Sequence, residues 1–572
     1  MIDRFKSLAL STVSLAAVVA GTMPAAAATC ESLATLSLPH ATITAAQSVT
    51  GGSFTPPGST VAQTGLPPFC RVAGVSTPTS DSSIKFETWI PMGSSWNGKY
   101  EQLGNGGFAG SISYAGLATG IKRGYATSGT DDGHTGSALD ATWALNHPEK
   151  IVDFGYRALK ETTDKSRAII NAFAGHGPSR SYFAGCSDGG REALMEAQRY
   201  PDDWDGIIIG SPANFWTHLL TGFIFNEQAL LDNPASYLQP AQLAVLTTAA
   251  LKQCAAREGL GTDPFPNDPR DCHFDPATVQ CTAGQDPTTC LSAPQVAAAK
   301  AIYDGPRSSR THQQIFPGYE AGTEAVAADW PAWITGATPG TSLQDAFGNQ
   351  FYANMVLSNP SFDFRSLNID SGVALADAEM APILNSTNPD LRRSKHRGTK
   401  LIHYVGWADS AIAPINSINY YHSVAIETDH GKLDETAEYY RLFMAPGMAH
   451  CSGGVGANSF GNSALGLAAG MIDPDHDILA ALDRWVEHGV APDKIIATKF
   501  VNDTVASGIA FQRPLCPYPQ IAAYKGTGPA TAASSFACVE DKDDAREDRQ
   551  RARQYLEHNE RVLFNPPSGD DD

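Results

Sequence analysis

Basic residues are scarce in this sequence. Its 572 residues include 40 lysines and arginines against 60 aspartates and glutamates, which gives a formal net charge of −20. Nucleic acids and anionic membranes attract proteins through basic surfaces. The acidic balance therefore argues against both as partners, and it is compatible with a neutral substrate that carries a sugar or a phenol.

Long apolar runs are also missing, apart from one near the N-terminus. Arg4 and Lys6 precede an apolar run from Leu8 to Val19, which is followed by alanines at 25–28. This order is typical of a secretory signal peptide, and the run is short for a membrane span, which takes about 20 residues. We therefore predict a signal peptide over residues 1–28, export to the periplasm or the medium, and no membrane anchor.

The ten cysteines lack the spacing of a zinc site. In an exported chain, cysteines are expected to form disulfides. Short separations favour three local pairs, Cys254–Cys272, Cys281–Cys290 and Cys516–Cys538. Sequence alone does not fix the connectivity of the other four, Cys30, Cys70, Cys186 and Cys451.

Apolar runs alternate with helical spacing over much of the chain, which is typical of an α/β sheet. Strands are predicted at Ile84–Ile90, Lys99–Leu103, Ser181–Ala184, Trp204–Gly210, Lys400–Val405 and Tyr440–Ala445. Helices are predicted within 151–175 and from Arg191 to about Tyr200, where Pro201 ends the second one. Residues 30–80 predict an irregular or β-rich segment.

The alternation stops between about Phe215 and Asp390. Four cysteines, many prolines and several aromatic residues replace it there. We interpret this stretch as a lid domain inserted into the sheet-forming domain. The charged residues that follow position 540 predict a solvated helix or tail, and a partner-binding arm is the alternative.

Ser187 is a candidate nucleophile. It lies in the run Gly185-Cys186-Ser187-Asp188-Gly189-Gly190, between a predicted strand and a predicted helix. Strand, sharp turn with serine, and helix form the context of a nucleophile elbow. A serine in a glycine-rich turn is usually structural, so the assignment needs a base and a group that orients the base.

Asp409 and His450 meet that need. Each follows the end of a predicted strand, where open α/β sheets gather their active sites. The chain order Ser, Asp, His is typical of α/β-hydrolases. Among the 15 histidines, His134 and His403 are rivals. We expect Ser187 as the nucleophile, His450 as the general base and Asp409 as the residue that orients the imidazole.

Two cysteines support this set. Cys186 directly precedes Ser187, and Cys451 directly follows His450. A nucleophile and its base must lie within hydrogen-bond reach, so their chain neighbours lie close as well. A disulfide needs a short Cα–Cα separation. These positions predict the pair Cys186–Cys451, which leaves Cys30–Cys70.

Acyl transfer also needs hydrogen-bond donors for the oxyanion. The backbone N–H of Asp188, which follows the nucleophile, is one candidate. The glycine-rich run Gly104–Gly110 follows an early strand and offers the other, at Gly107 or Gly106. A turn without a catalytic part is the alternative for this run.

Three motifs resemble those of the tannase and feruloyl esterase family, which also contains the enzyme that cleaves mono(2-hydroxyethyl) terephthalate. They are Gly-Cys-Ser-Asp-Gly-Gly-Arg-Glu from Gly185, Gly-Trp-Ala-Asp to Asp409, and Met-Ala-His-Cys-Ser-Gly-Gly around His450. With Arg513–Pro519, the similarity covers nearly the whole mature chain. It implies an α/β-hydrolase fold with an inserted lid, and a disulfide between the cysteines beside Ser187 and His450.

We therefore predict four segments. A signal peptide (1–28) precedes an α/β-hydrolase domain (29–214 and 391–540), a lid domain (215–390) interrupts that domain, and a charged C-terminal tail (541–572) ends the chain.

The resemblance also implies that the lid supplies much of the substrate pocket. Trp333 and Phe351 match aromatic pocket positions of the terephthalate half-ester enzyme, although either could be plain lid core. Phe347 stands where that enzyme has a carboxylate-binding arginine, and phenylalanine cannot make such a bidentate contact. We expect all three residues to contact an aromatic substrate.

Family members commonly bind calcium through aspartates of the lid. Here Ala255 replaces the first of them and Glu258 the second, and Asp263 matches the third only after a one-residue shift. Calcium takes about six or more oxygen ligands. Glu258 and Asp263 are thus candidate ligands of a structural calcium for which the sequence keeps only part of the pattern. No cofactor is expected for the chemistry.

The sequence as a whole predicts an exported serine carboxylic-ester hydrolase of the feruloyl esterase or tannase type. Its substrates would be small or polysaccharide-linked esters of aromatic acids. A hydrolase of another aryl ester, such as mono(2-hydroxyethyl) terephthalate, is one alternative. A serine peptidase and a non-catalytic carbohydrate-binding protein are the others, and the second of these requires the triad to be accidental.

Overall fold

The structure is a computed structural model that describes residues 28–254, 260, 262–462, 466–468, 470–541 and 545–563. Nine strands form one sheet: β1 (Ala41–Val49), β2 (Phe69–Ser76), β3 (Ile84–Pro91), β4 (Lys99–Leu103), β5 (Ala126–Thr130), β6 (Arg180–Cys186), β7 (Gly206–Gly210), β8 (Lys400–Gly406) and β9 (Tyr440–Ala445). Three two-stranded sheets lie outside it: Gly52–Phe54 with Gln63–Leu66, Ile495–Phe500 with Ile509–Leu515, and Gln520–Tyr524 with Phe536–Glu540.

The described chain also contains fifteen α-helices. They are α1 (Tyr114–Lys122), α2 (Pro148–Val152), α3 (Ala158–Ala174), α4 (Asp188–Arg199), α5 (Trp216–Leu231), α6 (Pro240–Cys254), α7 (Ala293–Asp304), α8 (Trp330–Trp333), α9 (Leu343–Gln350), α10 (Ile369–Leu384), α11 (Arg392–Arg397), α12 (Pro414–Asp429), α13 (Leu433–Thr436), α14 (Ile478–His488) and α15 (Ala545–Leu563).

The strand order across the sheet is β1-β2-β3-β5-β4-β6-β7-β8-β9. The first three neighbouring pairs in this order, β1–β2, β2–β3 and β3–β5, are antiparallel. The strands from β5 onward run parallel to one another. The carboxyl ends of β6, β8 and β9 therefore lie on the same edge of the sheet, and the residues that follow them can meet there.

Both faces of the parallel half are buried. Ile207 and Ile209 of β7 belong to one hydrophobic cluster, and Ile208 between them belongs to a second cluster on the other face. Continuous β-branched runs are what a strand covered by helices on both sides requires. This is why β7 is apolar without alternation.

The expected strands agree with the structure within two residues at each end. The helix expected from Arg191 begins earlier, at Asp188, immediately after Ser187. The helical stretch expected within 151–175 is divided into α2, a π-helical turn over Asp153–Arg157, and α3. Gly175, with φ +80°, ends α3 in the left-handed conformation that glycine adopts readily.

Between residues 215 and 390, the described chain contributes helices α5 to α10 and no strand of the main sheet. The N-terminal segment is β-rich, and its strands β1 and β2 extend the main sheet. In the part of the chain that the structure describes, no helix combines the length and the apolar character that crossing a membrane requires.

The C-terminal helix α15 differs from the solvated helix or tail expected from its charge. It packs against α12 and α10. Asp548 and Ala552 are fully buried and Tyr555 is nearly so. Residues three and four apart share one side of a helix, and Ala552 and Tyr555 place apolar groups on the buried side of a helix that is otherwise charged.

The five expected disulfides are all present, and no described cysteine is free. They are Cys30–Cys70, Cys186–Cys451, Cys254–Cys272, Cys281–Cys290 and Cys516–Cys538.

Candidate active site

Ser187 occupies a tight turn between β6 and α4. Its backbone has φ +68° and ψ −122°, a conformation that a side chain rarely adopts. The turn is held by the Ser187 N–H, which donates to the Gly210 carbonyl at 3.0 Å, and by the Ser187 carbonyl, which accepts from Ala213 N–H at 3.0 Å. A Cβ at Gly185 would collide with the Gly189 carbonyl. Glycine at 185 therefore permits a turn this tight.

His450 and Asp409 form a hydrogen-bonded pair. His450 Nδ1 lies 2.9 Å from Asp409 Oδ2. Asp409 Oδ1 accepts the backbone N–H groups of Ala411 and Ile412, at 3.0 and 2.9 Å. The Asp409 side chain is fully buried and that of His450 is one-tenth exposed. This arrangement fixes the imidazole with Nε2 free of the carboxylate.

The Cys186–Cys451 disulfide joins the serine turn to the histidine loop, with the two Cα atoms 6.0 Å apart. Neighbouring Cα atoms are about 3.8 Å apart, so Ser187 and His450 lie at the same end of the sheet. His450 Nε2 approaches Cys451 Sγ at 3.7 Å. The disulfide thus lies directly against the nitrogen that a general base would use.

The two rival histidines have other surroundings. His403 is buried between Tyr440 and Ser417, with ring nitrogens 2.8 and 3.1 Å from their hydroxyl oxygens, and burial lowers its pKa to about 3. His134 Nε2 lies 2.7 Å from the Phe108 carbonyl, and burial lowers its pKa to about 4. Both histidines fit structural roles.

Gly107 and Asp188 face the same cleft as Ser187. Gly107 has φ +62°, and a Cβ there would collide with the Ala138 carbonyl. Asp188 is the first residue of α4, where backbone N–H groups have no partner within the helix. The two expected oxyanion donors are therefore near the nucleophile, and Gly106 is not among the residues that line the cleft.

This cleft has a volume of about 30 Å³ and an apolar wall, most of which comes from helix α5 and other residues of the lid. The wall consists of Ala213, Trp216, Leu219, Leu220, Phe223, Trp333, Phe347, Ala411 and Ile412. The rings of Trp333 and Phe347 are stacked 6.0 Å apart, and Trp333 meets the His450 ring edge to face at 4.9 Å. An aryl group would find aromatic contacts here.

Phe351 has a different place. It is fully buried and packs against Tyr352 at 5.2 Å, outside the described lining of the cleft. Of the three expected lid contacts, the structure brings Trp333 and Phe347 to Ser187 and leaves Phe351 in the core of the lid.

Three buried carboxyl groups lie behind the serine turn, and sequence reasoning assigned two of them no role. Asp132, Asp188 and Glu192 have ligand oxygens within 4.8 Å of one another. Burial raises the pKa of Asp188 to about 7, although Arg191 Nε donates to it at 2.5 Å. Burial, and then Glu192, raise the pKa of Asp132 well above its usual range. In the sequence, the signal that could have indicated this cluster is Arg191-Glu192, at the end of the motif that contains Ser187.

The structure describes one of the two proposed calcium ligands. Glu258 lies outside the described residues. Asp263 accepts from Arg513 Nη2 at 3.0 and 3.2 Å, so its carboxylate is already paired with a cation. Because Ala255 replaces the first expected aspartate and Glu258 is outside the described residues, the calcium site stays a prediction from the resemblance.

The chain has clear relatives. Residues 70–539 match the family described as tannase and feruloyl esterase. An uncharacterized esterase of Xanthomonas campestris pv. campestris is 42% identical over 554 residues, covering 94% of this chain and 95% of that protein. A probable feruloyl esterase B-2 of Aspergillus terreus is 31% identical over 472 residues, covering 82% and 86%. The crystal structure of feruloyl esterase B from Aspergillus oryzae has a TM-score of 0.81 at 27% identity, covering 89% of this chain and 99% of that one.

Proposed function

The chain belongs to the tannase and feruloyl esterase family and is a carboxylic ester hydrolase of the α/β-hydrolase fold, and on this basis we propose that it cleaves esters of aromatic acids through an acyl-enzyme on Ser187. Two observations together carry this proposal. His450 and Asp409 are hydrogen-bonded at 2.9 Å, and a disulfide ties the loop of His450 to the serine turn.

Acylation starts with attack of Ser187 Oγ on the ester carbonyl carbon. His450 Nε2 takes the hydroxyl proton, and Asp409 stabilises the imidazolium that forms. The carbonyl oxygen gains negative charge, which the N–H groups of Gly107 and Asp188 stabilise. His450 then returns the proton to the leaving alcohol as the carbon–oxygen bond breaks, and the acyl group stays on Ser187.

Deacylation repeats these steps with water. His450 removes a proton from the water as it attacks the acyl carbon, and the second oxyanion occupies the same two N–H groups. When the tetrahedral intermediate collapses, His450 protonates Ser187 Oγ. The products are the free acid, the alcohol released earlier and the regenerated serine.

The apolar wall of the cleft is an observation in favour of a substrate with an aromatic acyl group. Trp216 and Phe223 of α5 face the cleft together with Trp333 and Phe347 of the lid. Aromatic side chains favour aromatic partners in edge-to-face or offset contacts. We propose feruloyl or galloyl esters as the substrates, small or linked to a polysaccharide.

We also propose that the chain is exported, to the periplasm or the medium. Five disulfides suit an oxidising compartment. This proposal is checked by fractionation of the producing cells, in which enzyme retained in the cytoplasm with free thiols would contradict it.

The test of the activity is a substrate screen with purified protein. Methyl ferulate, methyl gallate, tannic acid and mono(2-hydroxyethyl) terephthalate are compared by release of the acid. We expect turnover of at least one of the first three. A wild-type protein that hydrolyses none of the four, while binding a polysaccharide, would favour the carbohydrate-binding alternative.

A further inference from the structure

The backbone of Asn105 makes two hydrogen bonds to helix α4, one as donor and one as acceptor. Asn105 lies in the glycine-rich run Gly104–Gly110, which we call the oxyanion loop because it carries the proposed donor Gly107. Asn105 N–H donates to Glu192 Oε2 at 2.8 Å, and the Asn105 carbonyl accepts from Gly189 N–H at 2.9 Å. Glu192 and Gly189 both belong to α4, which begins right after Ser187. Asn105 precedes Gly107 by two positions, so the loop that carries the oxyanion donor is fastened to the helix of the nucleophile.

The Asn105 side chain adds a third connection. Its Nδ2 donates to the Thr130 carbonyl at 3.0 Å and to Asp132 Oδ2 at 2.7 Å. An amide group can donate two hydrogen bonds, which an ionised aspartate of the same shape cannot do. Asn105 therefore joins the loop, α4 and the end of β5.

The surroundings make this connection rigid. Glu192 and Asp132 are fully buried, where an unmade hydrogen bond is costly. Arg191 is the cation that faces the carboxyl groups, and it also donates to the Phe154 and Gly155 carbonyls. Its guanidinium thus ties Asp188 to the residues at the start of the neighbouring helical stretch.

We propose that Asn105, anchored by Glu192, is a positioning residue that keeps the Gly107 N–H aimed at the oxyanion formed on Ser187. This inference rests on the proposed function. Loss of one oxyanion donor lowers kcat by about 10²- to 10³-fold, and a misplacement of about 1 Å has effects on the order of 10²-fold. Loss of the anchor should therefore reduce kcat more than it affects substrate binding.

Two substitutions at one position test this. Glu192→Ala removes the acceptor of the Asn105 N–H, whereas Glu192→Gln keeps an oxygen there. With the best substrate of the screen, we expect kcat of Glu192→Ala to fall at least about tenfold with KM within about threefold, in line with a displaced oxyanion donor. Glu192→Gln should recover most of that loss.

Glu196→Ala is the matched control. Glu196 lies one turn further along α4, is equally buried, and accepts from Trp204 Nε1 at 2.6 Å. Its removal should lower the thermal midpoint as Glu192→Ala does, yet leave kcat within about threefold, since the described contacts of Glu196 do not reach the oxyanion loop. If a general loss of helix stability were the cause, kcat would fall by a similar factor in both variants.

Inhibition by phenylboronic acid gives a second measurement. Ser187 Oγ adds to the boron atom, the proton passes to His450, and the tetrahedral boronate anion places one of its hydroxyl oxygens at the oxyanion donors. We expect the inhibition constant to rise at least about tenfold in Glu192→Ala and in Asn105→Ala. Binding of the product acid should change less than threefold.

Equal kcat in Glu192→Ala and Glu196→Ala, or unchanged boronate inhibition, would overturn the inference while leaving the esterase assignment intact. If Glu192→Ala does not fold, Asn105→Ala carries the test through the third connection, because it removes the side-chain bonds to Thr130 and Asp132 while the backbone contacts with α4 keep the loop folded. Failure of the wild-type enzyme to hydrolyse any aryl ester overturns the proposed function and this inference together.

Discussion

The serine at the turn between β6 and α4 is the residue whose loss should matter most. Ser187→Ala removes the nucleophile and leaves the oxyanion donors and the cleft in place. We expect kcat to fall by at least about 10³-fold, with an unchanged circular dichroism spectrum. The backbone at φ +68° is kept by its hydrogen bonds to Gly210 and Ala213, which do not involve the hydroxyl. Activity within about tenfold of the wild type would exclude Ser187 as the nucleophile.

Phe347 should decide whether a charged acyl group is accepted. It stacks on Trp333 and lies 5.3 Å from Phe108, in a wall formed by apolar side chains. A terephthalate half-ester carries a carboxylate that would lose water there without a cationic partner, at a cost of about 1.5–3 kcal/mol. We expect kcat/KM for methyl ferulate or methyl gallate to exceed that for the half-ester by at least about tenfold.

The substitution Phe347→Arg supplies a cation at this position. It should raise kcat/KM for the half-ester and so reduce the difference in kcat/KM between the half-ester and the methyl esters. Steady-state kinetics on both substrates check this. Equal efficiency of the wild type on the two kinds of ester would mean that another group binds the carboxylate.

Among the structural elements, the loops joined by Cys186–Cys451 are the ones whose separation should affect catalysis. The double variant Cys186→Ser/Cys451→Ser frees the histidine loop from the serine turn. We expect kcat to fall at least about tenfold, through misplacement of His450, at a temperature where the variant is still folded. The control is Cys281→Ser/Cys290→Ser, which opens a local pair in the lid, separated by 9 positions in sequence. Peptide mapping that found both Cys186 and Cys451 as free thiols in active enzyme would refute this role.

Helix α15 should contribute strongly to stability through Asp548. The Asp548 carboxylate is fully buried, accepts from Arg270 Nη1 at 2.8 Å and also accepts from the Tyr518 hydroxyl. Asp548→Ala removes the acceptor of the buried Tyr518 hydroxyl and one of the carboxylates that Arg270 contacts, another being that of Asp268; an unmade buried hydrogen bond costs about 1–3 kcal/mol. We expect a reduction of that order in the free energy of unfolding, measured by denaturant titration.

The control for Asp548 is its neighbour Glu547, whose side chain is 75% exposed. Glu547→Ala should change the free energy of unfolding by less than about 0.5 kcal/mol. Equal free energies of unfolding for the two variants would show that the buried carboxylate of Asp548 does not stabilise the fold.

At the scale of the whole molecule, sequence reasoning succeeded where the signals are local. Strands such as Lys99–Leu103 and Tyr440–Ala445 were predicted because apolar runs and their turn residues are neighbours in the chain. Asp409 and His450 are hydrogen-bonded, and Ser187 lies at the same end of the sheet, because each follows a strand of the same parallel half-sheet.

The features that sequence reasoning missed depend on residues far apart in the chain. Asn105 and Glu192 are separated by 87 positions, and no periodicity links them. The cleft wall from α5 lies in a stretch interpreted only as part of a lid, and the charge of α15 hid the buried side formed by Ala552 and Tyr555. Packing between elements decides these contacts, and it leaves little trace in a single sequence.

The separation of 265 positions between Cys186 and Cys451 also has a consequence for synthesis. When the ribosome has made the chain only as far as the lid, the nascent protein carries the serine turn without Asp409 or His450. Helix α15 is made last, and until it emerges Arg270 lacks its contact with Asp548. On the proposed mechanism, a chain that ends within the lid lacks the general base for Ser187, so we expect ester hydrolysis to begin only after the chain has been made as far as His450.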